Sequence, residues 1–282
     1  MVFEVLEFGF VQRALIAGTA VAITSSVIGL FLVLRRNSLF GDALSHVAFG
    51  GIAVGLFANF YPLWTGLALS IVGALGITKL RQSAKIPPDA AVAILLSSGL
   101  ALGVVLVGLS GGFSIDLFSI LFGSIFLVSV EDTLAILAMT GVILAVVIIL
   151  YRQLLYITFD EEQAKVSGLA ISKLNYLFIV LASVGVIVSM RLVGILLISS
   201  LIVIPNITAL QFGKGFKKTA IISVSVSLFS VMTGMAVSYA LDLPPAGTIV
   251  IVSIAVFFAV LGGNHFSKNK ALPEKVAEEI KS

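Results

Sequence analysis

Long apolar runs constrain the fold of this chain more than any other feature of its sequence. A helix that crosses the hydrocarbon layer of a bilayer needs about 20 mostly apolar residues. Runs of that kind occupy most of the 282 residues, at 14–34, 43–60, 62–80, 90–110, 134–150, 174–190, 192–212, 219–241 and 247–263. A further apolar stretch, 117–130, is short and contains Gly123, so we predict a re-entrant or interfacial segment there. The sequence therefore predicts an all-α polytopic membrane protein with eight to nine transmembrane helices.

The composition excludes several other classes of protein. Only 11% of the residues are charged and 59% are hydrophobic, whereas about a quarter of a typical soluble domain is charged. An ordinary cytosolic enzyme and a disordered protein are therefore excluded. The chain contains no cysteine, which excludes disulfides, thiolate metal sites and thiol catalysis. Its net charge of +3 is too small and too scattered to indicate nucleic acid as a partner.

The positively charged residues predict an orientation. With the N-terminus outside and nine alternating spans, 15 of the 17 lysine and arginine residues lie in cytoplasmic segments, and only Arg13 and Arg191 do not. Cytoplasmic loops are enriched in these residues, so we expect a multi-pass protein of the cell membrane with its C-terminus in the cytoplasm. Arg191 alone separates two of the runs, so the turn there uses this residue or its neighbours.

Two polar segments complete the domain organisation. Residues 1–263 are predicted to form one transmembrane domain, and 264–282 a polar cytoplasmic tail. Within the domain, 152–173 is the longest polar loop. Thr158 followed by Glu161 is a capping-box pattern and Gly168 fits a helix stop, so we predict a short helix over 160–167 that lies across the membrane face. The pattern alone fits either a solvated connector or a docking element for a soluble partner.

The ionisable residues inside the runs are few, and each is a functional hypothesis because its burial in lipid is costly. Asp42 and His46 lie four residues apart, on one face of the second helix. His46 lies about 15 Å along the chain from Arg36, close to the middle of the bilayer. The pair either hydrogen-bonds to hold helices together or binds a divalent cation transiently, since carboxylate and neutral imidazole suit zinc, manganese or ferrous iron. A two-fold dimer would supply four such ligands.

Glycines follow this pair directly. The spacing of Gly51 and Gly55 permits another backbone to approach closely. Because glycine is common in membrane helices, plain helix packing is the favoured interpretation. No Walker A, H-E-x-x-H or G-x-S-x-G motif is present, so intrinsic hydrolysis is not predicted and the chain is not expected to be an enzyme. Uphill transport would then draw on an ion gradient or on another subunit.

Four ordered stretches carry a family resemblance. FGDALSHVAFGGIAVG, TFDEEQAKVSGLAISKLNYLF, VGILLISSLIVIPNITA and LDLPPAGTIV resemble successive signatures of the metal-type ABC importer permeases, which serve zinc, manganese or iron. The resemblance implies the type II importer fold, a homodimer, two copies of a cytoplasmic ATP-binding subunit and an extracytoplasmic metal-binding protein. It implies no intrinsic cofactor, since the metal ion is the transported substrate and ATP binds the partner subunit.

The resemblance also assigns roles to residues. Asp42 and His46 match the metal-pathway pair of the family. The stretch from Asp160 to Gly168 matches the coupling helix that sits in a groove of the ATPase, which favours docking over a solvated connector. Its residues for this role are Asp160, Glu161, Glu162, Gln163, Lys165 and Gly168. Ser45 and Asn206 are further pathway candidates, although Asn206, which replaces a small residue, could instead bond a neighbouring helix. Alternating access would then carry the ion inwards.

Three other functions remain open from the sequence. A permease of the cobalamin and iron-siderophore type shares the coupling loop, but its bulky substrates need a wide cavity rather than a carboxylate–imidazole pair. A secondary metal transporter would work without an ATPase. An intramembrane enzyme lacks paired catalytic groups. The sequence does not select among zinc, manganese and iron.

Overall fold

The fold is built almost entirely from helices. A computed structural model describes residues 9–84, 86–110, 121–123, 128–195 and 198–279, and within these ranges it contains no β-strand. The helices, in chain order, are α1 (Gly9–Leu34), α2 (Phe40–Phe57), α3 (Pro62–Ala84), α4 (Pro88–Leu109), α5 (Val130–Ile149), α6 (Tyr151–Phe159), α7 (Glu161–Val166), α8 (Ile171–Val193), α9 (Ile198–Leu210), α10 (Phe216–Leu241) and α11 (Pro245–Glu279).

Eight helices among the described residues are long and apolar enough to cross a membrane. They correspond to eight of the nine predicted spans, which confirms an all-α polytopic membrane protein. The exception is the predicted span 192–212. Its helix, α9, has only 13 residues and is therefore about 20 Å long, too short to cross the hydrocarbon layer alone. Most of the segment 117–130, predicted to be re-entrant or interfacial, lies outside the described residues.

The break between α8 and α9 uses a glycine near the predicted position. Arg191 lies inside α8, and the helix ends at Gly194, whose φ is +79°. A Cβ atom at Gly194 would lie 2.5 Å from the carbonyl oxygen of Leu121. The chain therefore turns where the absence of a side chain permits both a left-handed conformation and a close approach of the 121–123 segment.

The α8–α9 segment begins and ends at the same end of the bundle. Asn175, near the start of α8, accepts a hydrogen bond from Arg35 at the end of α1. Phe216, which begins α10 after α9, has its ring centroid 5.2 Å from that of Phe31 and 5.7 Å from that of Tyr151. The lysines beside Phe216 thus lie at the same end as Arg35, although α9 is too short to be a ninth full span.

Helices α1 and α2 form the centre of the bundle. In the most apolar 18-residue stretch of each helix, 72% and 67% of the residues are buried, against 28% in α3, α4, α5 and α11. Helix α2 packs against α3 and α4, and we call these three helices the α2–α4 unit. Helix α1 packs against α5, α8, α9 and α10. The transmembrane helix α11 continues past residue 263, so the predicted polar tail begins inside a helix.

Glycines hold the α2–α4 unit together. A Cβ atom at Gly51 would lie 2.6 Å from the carbonyl oxygen of Thr65, and one at Gly55 would overlap the Thr65 hydroxyl. A Cβ atom at Gly99 of α4 would lie 2.5 Å from the backbone of Val47. The packing role predicted for Gly51 and Gly55 is confirmed, since backbones meet at distances that only glycine allows.

Candidate functional site

Asp42 and His46 lie one helical turn apart on α2, as their spacing predicts. Nε2 of His46 is 3.9 Å from Oδ1 of Asp42. This distance is too long for a hydrogen bond. It is within the ~4 Å that two ligands can span when each is about 2.0–2.2 Å from one metal ion. In this geometry the two side chains form no hydrogen bond with each other, so both are available to bind a third partner such as an ion.

The surroundings of the pair set it apart from the rest of α2. Between Gly41 and Ala53 every residue is buried except Asp42 and His46, whose side chains are 24% and 13% exposed. The chain therefore covers this stretch of the central helix on all sides but leaves an opening at its two ionisable groups. Contact of these groups with lipid would be costly, so the opening must meet protein or a water-filled path.

A metal ion at this pair would find only two side-chain ligands among the described residues of one chain. The described residues contain no cluster of three or more histidine, aspartate or glutamate side chains that could hold an ion. Nδ1 of His46 is also buried without a hydrogen-bond partner among them. A histidine that binds metal through one ring nitrogen usually donates a hydrogen bond from the other. To bind a metal ion, the pair would thus need further donors from outside the described part of the chain.

The two other pathway candidates make contacts between and within helices. The Ser45 hydroxyl is buried and donates to the carbonyl oxygen of Asp42 at 2.7 Å. The Asn206 amide donates to the Ile202 carbonyl at 2.7 Å and accepts from the Ser223 hydroxyl at 2.6 Å, which links α9 to α10. The polar atoms of Ser45 and Asn206 are thus engaged in hydrogen bonds within the protein. Their roles in an ion pathway stay predictions.

The polar loop forms the short helix that its sequence predicts. Helix α7 spans Glu161–Val166, inside the predicted 160–167, and Gly168 follows with a φ of +79°. The cap is different from the predicted one. Asp160 accepts a hydrogen bond from the Gln163 backbone N–H at 2.9 Å, whereas the Thr158 hydroxyl donates to Leu154 within α6. The prediction of a Thr158 cap is wrong because α6 continues to Phe159, so Thr158 lies inside a helix.

Helix α7 presents most of its side chains to solvent. Ala164 is fully buried and anchors the helix, while Val166 is 90% exposed. The exposed polar residues are those named for coupling, Glu161, Glu162, Gln163 and Lys165. Single exposed apolar residues are common on protein surfaces, so the docking role of α7 stays a prediction.

Arg35 is one of the 15 lysine and arginine residues expected on the cytoplasmic side, and it is far more than an orienting charge. Its Nε donates to the Thr158 hydroxyl and its Nη1 to Oδ1 of Asn175, both at 3.0 Å. Its guanidinium carbon lies 4.4 Å from the centre of the Phe178 ring. Burial lowers the pKa of Arg35 to about 10, an effect that the nearby Glu161 carboxylate partly offsets, so the side chain stays protonated at neutral pH. The only sequence signal was the double arginine before α2.

Comparison with known proteins gives matches along almost the whole chain. The sequence profile of the ABC 3 transport family matches residues 7–263. A probable metal transport system membrane protein of Treponema pallidum (strain Nichols) is 34% identical over 256 residues, which cover 91% of this chain and 96% of that protein. The manganese transport system membrane protein MntC of Listeria innocua serovar 6a is 31% identical over 274 residues, with 95% and 98% covered.

A solved structure agrees with these matches. The structure of PsaBC from Streptococcus pneumoniae in complex with Fab superposes on this chain with a TM-score of 0.83 at 30% sequence identity. The superposition covers 92% of this chain and 95% of that one. Likeness of fold and sequence thus extends over the same region, from the first transmembrane helix to the last.

Proposed function

The chain belongs to the ABC 3 transport family, and from that premise we propose that it is the permease subunit of an importer for a divalent transition metal ion. The relative MntC of Listeria innocua is named a manganese transport protein, so manganese is the first substrate to test. Zinc and ferrous iron accept the same ligands and are the alternatives.

The observation that carries the proposal is the opening at Asp42 and His46. These are the only incompletely buried residues between Gly41 and Ala53 of the central helix α2. A carboxylate carries the charge that offsets part of the cost of bringing a divalent cation into a low-dielectric interior. A neutral imidazole adds a ligand that transition metals prefer to the hard cations magnesium and calcium.

A second copy of the chain would complete the site. Two Asp42 carboxylates would neutralise the 2+ charge, and two His46 imidazoles would bring the ligand number to four. In this proposal two copies of a cytoplasmic ATP-binding subunit drive the transport and dock on α7, and an extracytoplasmic metal-binding protein delivers the ion. The N-terminus is outside, and the site opens alternately to the two sides of the membrane.

Metal uptake by Asp42 and His46 variants tests the proposal. In cells that lack their own importers but contain the partner subunits, we expect Asp42→Asn and His46→Gln each to lower manganese uptake about tenfold or more. Each replaces a ligand by a weaker amide donor, and even loss of a group that only orients a ligand costs about tenfold. Asp242→Asn and His265→Gln are matched controls, because they make the same chemical changes elsewhere in the chain. Asp242 is exposed at the end of α10, and both controls should import like the wild type.

The same assay separates the alternatives. Uptake in both Asp42→Asn and His46→Gln equal to that of the wild type would overturn the assignment of the ion pathway. Uptake that persists without the ATP-binding subunit would point to a secondary transporter. Parallel assays with zinc and iron, in competition with manganese, identify the preferred ion.

A further inference from the structure

We propose that Arg35 is a positioning residue that transmits movement of α7 to α2, and so to Asp42 and His46. The proposal rests on the proposed function, since it takes the ATP-binding partner as the source of the movement. Arg35 follows α1 directly, and only residues 36–39 separate it from the first residue of α2, Phe40. The Arg35 side chain therefore lies close to the first turn of α2, the helix that carries Asp42 and His46.

A continuous polar route joins α7 to this point. Oε1 of Glu161, the first residue of α7, lies 3.4 Å from Nδ2 of Asn175 on α8, in a hydrogen bond that Asn175 donates. The amide oxygen of Asn175 in turn accepts from Arg35 at 3.0 Å. A second arm runs from Arg35 to Thr158, two residues before the cap of α7. The planar fork of arginine engages both arms at once, and a lysine could not reproduce this geometry.

Free space beside Arg35 allows the movement. A cavity of about 720 Å³ lies between the α2–α4 unit and the helices α6, α7 and α8. Phe40, Thr78 and Asp89 line it on the side of the unit, and Thr158 and Asn175 line it on the other side. Close-packed interiors resist displacement, so relative motion needs unfilled volume of this kind.

The α2–α4 unit is built to move as one body. Backbones approach within contact distance where Gly99 of α4 meets Val47 and where Gly51 of α2 meets Thr65. Displacement at residues 36–39 would therefore carry Asp42 and His46 along without bending α2. The packing of α8 against α3 offers a second route for the motion, and an experiment on Arg35 distinguishes the two.

The decisive measurement is the number of metal ions imported per ATP hydrolysed by the reconstituted complex. In Arg35→Gln we expect this ratio to fall about tenfold, a typical coupling between distant sites, while ATP hydrolysis and manganese binding stay near wild-type values. Arg36→Gln is the matched control. Arg36 is the adjacent residue, carries the same charge, is exposed and has no side-chain hydrogen bond among the described contacts. A merely structural role would lower hydrolysis, assembly and uptake together and leave the ratio unchanged.

A second readout does not depend on metal at all. The chain has no cysteine, so Leu39→Cys introduces a single thiol at an exposed position just before α2. We expect a non-hydrolysable ATP analogue to change the rate of maleimide labelling at this thiol in the complex, and Arg35→Gln to abolish that change. If the nucleotide analogue does not change the labelling rate of Leu39→Cys in the otherwise wild-type chain, the proposal is overturned.

Further variants keep the test decisive if Arg35→Gln does not assemble with its partner. Arg35→Lys, Asn175→Ala and Thr158→Val each remove part of the contact network and should lower the ratio by smaller factors. Wild-type ratios in all three would overturn the proposal. If instead uptake of manganese, zinc and iron is absent in the wild type, the proposed function fails, while the labelling experiment still decides whether Arg35 transmits the motion of α7.

Discussion

Two regions of the molecule bring helices together with different proportions of glycine contacts and hydrogen bonds. In the α2–α4 unit, glycines bring backbones together, as where a Cβ atom at Gly50 would lie 2.8 Å from the carbonyl oxygen of Gly99. Between α1, α9 and α10, polar side chains add hydrogen bonds to a close glycine contact of α1 with α9. Asn206 bonds to Ser223, and the Ser26 hydroxyl donates to the Ser223 carbonyl at 3.3 Å.

The difference separates structural polar groups from functional candidates. Lipid is as apolar as leucine, so helices in a membrane associate through close packing or through hydrogen bonds. Where hydrogen bonds are used, the polar atoms are consumed, as in Asn206. Where glycine packing suffices, polar side chains such as Asp42 and His46 form no hydrogen bonds with the described residues and remain free to bind an ion. A polar residue in a span is therefore the stronger functional candidate when its own polar atoms take no part in holding the helices together.

The largest effect is expected at Gly99. In Gly99→Ala the new methyl group would lie 2.5 Å from Cα of Val47 and 2.7 Å from the carbonyl carbon of His46, so α4 must move away from α2. We expect a loss of about 1–3 kcal/mol of stability, typical of overpacking, together with loss of metal uptake. Thermal unfolding of the solubilised protein measures the first. Gly108→Ala, on the same helix with no atom within 4 Å, is the control, and equal stability of the two variants would refute the packing role.

A smaller effect is expected at Asn206. Asn206→Ala removes the bond to Ser223, and interhelical hydrogen bonds of this kind contribute about 1 kcal/mol. We expect lower thermal stability with manganese uptake retained per folded molecule. Ser253→Ala is the control, because the Ser253 hydroxyl is buried without a described partner and its removal should be neutral. A change in metal selectivity at unchanged stability would instead place Asn206 on the pathway.

The smallest effect is expected where α1 meets α8. The hydroxyls of Ser25 and Ser189 lie 2.7 Å apart, and both residues are buried. A double-mutant cycle with Ser25→Ala and Ser189→Ala should give a coupling of about 0.6 kcal/mol, the average found for such pairs in membranes. Additive effects of the two substitutions would show that the pair contributes nothing beyond packing.

Much of the fold could be predicted, because a span is a local property of the chain. Eight runs of apolar residues became helices of sufficient length, and Gly168 ended α7 as expected. The prediction was less accurate at α9, whose flanking turn is set by Gly194 and its contact with Leu121. That contact joins residues far apart in sequence, so neither hydropathy nor charge indicates it.

The part of the site that depends on local sequence could also be predicted, and the part that depends on distant contacts could not. Spacing alone places Asp42 and His46 on one face of a helix. Their freedom from hydrogen bonds depends on what α3 and α4 cover, and the importance of Arg35 depends on partners 123 and 140 residues away. No pattern around a double arginine identifies those partners.

The sequence by itself determined that this is a multi-pass membrane protein, where eight of its long apolar helices lie and that Asp42 and His46 share one face of a helix. These follow from hydropathy and helical periodicity, which act over a few turns. Only the tertiary structure decided that α2 is central, that its buried stretch 41–53 is open at Asp42 and His46, and that Arg35 connects α7 to the start of α2. Burial and hydrogen bonding between helices depend on which distant segments pack together, and that choice is made by the whole chain.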